Sequence, residues 1–296
     1  MSEAIRLTSP EPAWRKLWQH PLVVVVVAAS LLLFAWRGFA AAMVRWDTQL
    51  PYAADLAIRE LLPLIAVLAV YKLVVTRMGR FVKDDLPMRA ALVDTSVGLL
   101  AGMAMISTAI GIATLFGAYT VYDWGWAYDI LEMVLIVGFS AAIIEEVLLR
   151  GVLFRWLEEA GGSMLALAAT TLLVGAVHAM TPGATPISTL ANATALGLLT
   201  GAAYMLTRSL WLAIGIHAAW NMTQGLVWGT PIAGFQFDGF AYAELYGPDW
   251  LTGGVFGINA SAVGLVVALA FALWAIREAK RQGHWLSFGW RRGIDG

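Results

Sequence analysis

The chain contains no cysteine. Disulfides, thiolate zinc sites and cysteine nucleophiles are therefore excluded. Charge is scarce as well. Only 13% of the 296 residues are Asp, Glu, Lys or Arg, where a soluble domain carries about a quarter. The charges nearly cancel, leaving a net −1, so nothing points to a polyanionic partner. The basic residues lie beside apolar runs, and no nucleic-acid signature is present. Nor is there an internal repeat that would indicate a solenoid.

What the chain has instead is apolar length. Hydrophobic residues make up 60% of it, and runs of about 20 apolar residues recur throughout, the mark of a polytopic membrane protein. Backbone groups in lipid must bond among themselves, so the spans are expected to be helices; barrel strands would show short alternating segments. The fold class expected is all-α: a transmembrane bundle of about eight spans. Their limits are read as Pro21–Val44, Leu56–Val75, Ala90–Gly117, Tyr128–Trp156, Ser163–Thr181, Ile187–Leu206, Leu210–Gly229 and Gly253–Ile276. The first run, "PLVVVVVAASLLLFAW", follows a polar segment and reads as a retained span, not a cleaved signal.

Basic residues set the orientation. Arg6, Arg15 and Lys16 precede the first span, and Arg77, Arg80, Lys83 and Arg89 separate the second from the third. Arg155 follows the fourth, Arg208 the sixth, and Arg277, Lys280, Arg281, Arg291 and Arg292 the eighth. The alternate loops "YTVYDWGWAYD" and "TPIAGFQFDGFAYAELYGPDW" have no Lys or Arg. Both termini are thus expected on the cytoplasmic side; only Arg45 and Arg59 run against the pattern. The division expected is a tail over 1–20, one membrane domain over 21–276 with a motif core at 130–230, and a tail over 277–296. The aromatic outer loops read as an interfacial belt, or else as a lid. Gly98/Gly102 and Gly197/Gly201 have the small-xxx-small spacing of close helix crossings. Asn192 and Asn259 read as helix–helix hydrogen-bonding groups, and His20 and His284 as solvent or interfacial groups.

An ionisable residue deep in a span is a functional candidate by default. "IIEEVLLR" places Glu145, Glu146 and Arg150 on the fourth span; His178 lies on the fifth and His217 on the seventh, with Asn221 and Gln224 as polar companions. Glu146 and Arg150 are i,i+4 and share a face, so they form an ion pair. Glu145 points about 100° away and lacks that partner; its face runs over Gly138, Ala141 and Ala142, which leave a groove. His217 and Asn221 are also i,i+4. A plainer reading has the three charges of the fourth span bridging neighbouring helices, and a lone histidine on an apolar face as a satisfied core or interface residue.

No serine stands at helical spacing from either histidine, so water is the natural nucleophile. A carboxylate in an apolar site is a stronger base than one in water. A histidine can share the proton or hold the water. A second histidine and an asparagine amide can donate to a tetrahedral oxyanion, each such donor being worth on the order of 3 kcal/mol. Two histidines and a carboxylate (His178, His217, Glu145) could instead hold a catalytic zinc, although "HExxH" is absent and each ligand would come from a different helix.

In order, "EEVLLR", "VGAVH" and "HAAWN" resemble the EExxxR, FxxxH and HxxxN/D motifs of the CPBP family, the CAAX-protease and bacteriocin-processing membrane proteins. Val174 stands where the family usually has phenylalanine. The glycine-rich "LTGGVFG" also looks like the family. The resemblance implies an intramembrane endopeptidase related to the type II CAAX prenyl proteases, and a bacterial inner membrane is the expected location. The family is described both as metal-dependent and as glutamate-type; ligands drawn from separate helices favour the metal-free, glutamic version here. It implies that Glu145 with His178 activates water, that His217 and Asn221 form the oxyanion site, and that Glu146–Arg150 supports Glu145. No cofactor is expected, with zinc as the alternative. The partners expected are the lipid bilayer and a membrane-associated protein or peptide substrate, and no nucleic acid. A non-catalytic scaffold, bacteriocin-immunity factor or transporter is the rival class, since a family fold does not guarantee activity.

Overall fold

The computed structural model describes residues 19–78 and 83–288. Among these residues eight long helices follow the eight apolar runs. They are α1 (Pro21–Arg45), α2 (Tyr52–Leu73), α3 (Met88–Leu115), α4 (130–161), α5 (163–179), α6 (Pro186–Thr207), α7 (210–227) and α8 (Ala262–Arg281). Four of them, α1, α3, α6 and α8, are long and apolar enough to cross a membrane as single helices. The chain is thus a multi-pass integral membrane protein that is mostly helical. Arg6, Arg15, Lys16, Arg80, Arg291 and Arg292 of the charge pattern lie outside the described residues.

Local chemistry sets the helix ends. Pro21 opens α1, where its missing N–H costs nothing. Thr185 and Ser188 form a reciprocal capping box at the start of α6. Ser209 caps α7, and Ser261 caps α8 by accepting from the Gly264 N–H at 3.1 Å. Arg208 turns the chain between α6 and α7 in the left-handed region. Gly162, at φ 84°, breaks one continuous winding into α4 and α5.

The last helix differs from expectation. It starts at Ala262 and not at Gly253, and runs to Arg281. The physical reason is the glycine loop before it. Gly253 and Gly257 both sit at φ 79°, and a Cβ on Gly257 would stand 2.0 Å from Pro231 O and 2.7 Å from Gln224 Nε2. The loop folds against α7 instead of extending α8. Past α8, His284 is not a solvent group: its Nδ1 lies 3.1 Å from Met205 O and 3.0 Å from Leu206 O. Leu286 exchanges two 2.9 Å bonds with Ser163, one to its N–H and one to its hydroxyl.

A second difference is a small sheet in an otherwise helical chain. Strands β1 (Tyr119–Trp124) and β2 (Ala241–Leu245), from the two aromatic outer loops, pair antiparallel with a bulge at Tyr122. The sheet is pinned to the end of α7, because the Tyr119 hydroxyl donates to Trp228 O at 2.7 Å. Burial raises the pKa of that phenol, so it remains a donor. Arg59, which runs against the charge pattern, is neutralised locally. It pairs with Asp55 at 2.5 Å and donates to Met43 O and Trp46 O at the end of α1.

The closest helix crossing is α3 on α7. A Cβ on Gly98 would stand 2.5 Å from Leu212 O, and one on Gly102 2.5 Å from Ile216 O. Gly197 and Gly201 likewise meet Thr171 and Leu167 of α5 at 2.7 and 2.9 Å. Both pairs therefore serve helix packing. Gly98→Ala and Gly102→Ala should each destabilise the protein by about 1–3 kcal/mol through overpacking. Gly111→Ala on the same helix, with open space around it, should be neutral or stabilising by up to about 1 kcal/mol. Thermal unfolding in detergent compares the three; equal losses would remove the packing argument.

Candidate active site

The polar groups of the motif lie on a helix of alternating winding. Within α4, Met133–Ser140 and Val147–Phe154 are π-helical and flank a six-residue α-helical stretch, Ala141–Glu146. Two other helices carry π segments: Ala193–Leu199 in α6 and Thr223–Val227 in α7. Such segments disturb the backbone ladder and recur at functional sites. No residue pattern in the sequence announces them.

Glu146 is the hub. Its carboxylate lies 3.0 Å from Arg150 Nη1, as the i,i+4 spacing predicts, and both side chains are fully buried. Its Oε1 also accepts from His217 Nδ1 of α7 at 2.9 Å, which the spacing did not reveal. Arg150 extends the network into α6. Its Nη2 donates to Leu196 O and, at 2.8 Å, to Gly197 O, carbonyls of the α6 π segment. One buried acid thus joins α4 to α7, and its arginine joins α4 to α6. Because Glu146 takes the Nδ1 proton, His217 is left with Nε2 for any other partner.

Glu145 is half-buried and, alone among the three charged motif residues, makes no hydrogen bond among the described residues. It lies near enough to interact electrostatically with both Arg150 and His217. The groove expected beside it is partly filled. A Cβ on Gly138 would meet Met222 at 2.7 Å, and Ala142 is completely buried. His178 occupies the last turn of α5, half-buried. Its Nδ1 lies 2.9 Å from Val174 O. A carbonyl only accepts, so Nδ1 carries the proton and Nε2 presents a lone pair. The bond uses the backbone of residue 174, so valine in place of phenylalanine leaves it intact. No hydrogen bond or ion pair joins His178 to Glu145 among the described residues.

Asn221 Nδ2 donates to Val137 O of the first π segment at 3.1 Å, and its second N–H remains available. Gln224 continues the stripe into a buried amide chain. Its Nε2 donates to Asn259 Oδ1 at 2.8 Å, and Asn259 Nδ2 donates to Asn192 Oδ1 at 3.1 Å. Asn192 thus bonds across the bundle from α6 as expected, but Asn259 meets it from the turn before α8 and not from a helix.

Three buried or half-buried acids were not singled out by sequence reasoning. Asp85, in the loop before α3, is fully buried. It takes the Tyr204 hydroxyl at 2.8 Å, Lys83 at 3.0 Å and Arg155 at 3.3 Å. Glu158 takes Ser163 Oγ at 2.5 Å and pairs with Arg208. Glu60 of α2, half-buried, takes Ser140 Oγ at 2.7 Å. The basic loop beside Asp85 and the position of Glu60 inside the second apolar run were the available signals.

Among the described residues no three His, Cys, Asp or Glu side chains are grouped so that they could hold a metal ion. Glu145, His178 and His217 therefore do not form a preassembled ligand set.

Residues 126–223 match the family described as Type II CAAX prenyl endopeptidase Rce1-like. The match spans a third of the chain and contains Glu145, Glu146, Arg150, His178, His217 and Asn221. No curated protein and no solved structure matches the chain.

Proposed function

From this chain's membership of the CPBP/CAAX-protease family, we propose that it is an intramembrane endopeptidase acting on a membrane-associated protein or peptide. The observation that carries the reading is the division of labour in the motif: Glu146 is ion-paired with Arg150 and hydrogen-bonded to His217, while Glu145 beside it makes no hydrogen bond among the described residues. In this reading Glu145 takes a proton from water, which His178 Nε2 holds by accepting its other hydrogen. The hydroxide adds to the peptide carbonyl carbon. Asn221, through its free N–H, and His217, through Nε2–H when the ring carries both protons, donate to the oxyanion. Glu146 compensates the charge of that ring. Collapse breaks the C–N bond, and the leaving amine recovers the proton from Glu145.

Eight membrane crossings with both termini cytoplasmic, in a bacterial inner membrane, belong to the same proposal. The loop charges support them: Lys83, Arg155 and Arg208 gather at one end of the bundle, while β1 and β2 at the other carry no Lys or Arg.

Turnover of a quenched membrane peptide by the purified protein in nanodiscs tests the reading. Glu145→Ala and His217→Ala retaining wild-type turnover would falsify it. Asn221→Ala should lower kcat by about 10²–10³-fold with KM little changed. Bound zinc at one ion per chain, lost together with activity on chelation, would overturn the metal-free version.

A rival reading, a non-catalytic immunity factor, scaffold or transporter, is favoured by one observation: Glu146, Arg150 and His217 pair with one another across buried helices, as structural groups do. Full biological function in a Glu145→Gln variant would decide for it.

A further inference from the structure

Three hydrogen bonds join α2 to α4, and each spans 80 residues of sequence. The Tyr52 hydroxyl donates to Glu132, Ser140 Oγ donates to Glu60 at 2.7 Å, and the Tyr71 hydroxyl donates to Gly151 O at 3.2 Å. A constant offset means that the two helices run parallel and in step from one end to the other. The second and third rungs, at Ser140 and Gly151, bracket the stretch Glu145–Arg150. The first and second, at Glu132 and Ser140, flank the first π segment.

The rungs at Ser140 and Gly151 are each specific. Ser140 is buried, and its hydroxyl bonds not to its own helix, the common habit of serine in membrane helices, but across to α2. Glu60 has no ion-pair partner among the described residues. Its neighbour Arg59 turns to Asp55, because adjacent helical residues do not face one another. Tyr71 is fully buried and fits only because residue 151 is glycine: a Cβ there would stand 2.7 Å from its ring. Asp85 backs the same hydroxyl at 3.4 Å.

Apolar helices in lipid slide against one another at little cost, and polar contacts between them hold register. π segments lack the regular α-helical ladder, so α4 has particular need of an external reference. We propose that α2 is a register rail for the motif stretch of α4, with Glu60 and Tyr71 as positioning residues that fix the axial placement of Glu145. The part of this proposal that concerns turnover rests on the endopeptidase reading; the part that concerns register does not.

The absence of cysteine makes the register measurable. Spin labels on cysteines introduced at Ile65 of α2 and Ile136 of α4, both lipid-exposed positions, report the helix offset in nanodiscs without background. Glu60→Leu combined with Tyr71→Phe should broaden or displace the interlabel distance distribution. In the unlabelled protein the same pair should lower kcat by roughly ten- to a hundredfold, as expected for misplacement by about 1 Å, with KM nearly unchanged. Glu60→Gln, which keeps an acceptor oxygen, should restore both readouts. An unchanged distance distribution in the double variant overturns the rail. Glu60→Gln behaving as Glu60→Leu overturns the positioning role, since charge and not hydrogen bonding would then matter. If the wild-type protein shows no turnover, the endopeptidase reading fails while the distances still decide the rail.

Discussion

Glu145→Gln should lower peptide turnover by about 10²–10⁴-fold, the range assigned to loss of a general base. The substitution is nearly isosteric, and Glu145 makes no hydrogen bond among the described residues that the amide would break. The thermal midpoint should therefore move little, and KM should hold. Loss of activity with retained stability separates chemistry from folding at this position. Glu146→Gln makes the contrast. It removes the charge that faces both Arg150 and His217, so stability and turnover should fall together. Equal behaviour of the two glutamine variants in both assays would mean that the motif is one structural cluster, with no free carboxylate set aside.

Arg150→Leu should be the most destabilising single change considered. The guanidinium is completely buried and offsets the charge of Glu146, which is also completely buried. Removing one partner of such a pair costs about 3–5 kcal/mol, since an uncompensated charge remains in a low-dielectric interior. Two carbonyls of the α6 π segment, Leu196 O and Gly197 O, lose their donor as well. Adding Glu146→Gln to Arg150→Leu should recover part of the loss, because replacing both charges removes the desolvation problem. Activity should not return with it, since His217 would lack its carboxylate. Thermal unfolding of the two single variants and the double variant measures the coupling. A double variant as unstable as the sum of the singles would mean that the two charges stabilise the protein independently.

Physical chemistry explains which parts of this were visible in the chain. The apolar runs became helices because backbone in lipid has no other partner. The i,i+4 spacing of Glu146 and Arg150 became an ion pair, because that offset stacks side chains on one face. Gly98 and Gly102 became a close crossing, because two missing side chains one turn apart expose backbone to a neighbour. In each case the determining distance lies within a few residues. The start of α8 was misread for the opposite reason: glycines in an apolar run look like helix, and only the docking of their loop on Gln224 and Pro231 gives them left-handed backbone.

The assignment of partners was decided in three dimensions. From spacing alone Glu146 was a clamp for Arg150; in the fold it also orients His217, 71 residues away. Asp85 would be solvated in an isolated loop, yet helices from four parts of the chain bury it. Glu60 sits beside Arg59 in sequence but bonds to Ser140, 80 residues on. The sequence by itself determined a helical membrane protein and which ionisable residues stand inside its apolar runs. The tertiary structure decided which groups from distant helices reach them: His217 comes to Glu146, and none hydrogen-bonds to Glu145 among the described residues. The physical reason is that a buried charge takes whichever complementary group packing brings within about 3 Å, and packing joins helices that no sequence spacing relates.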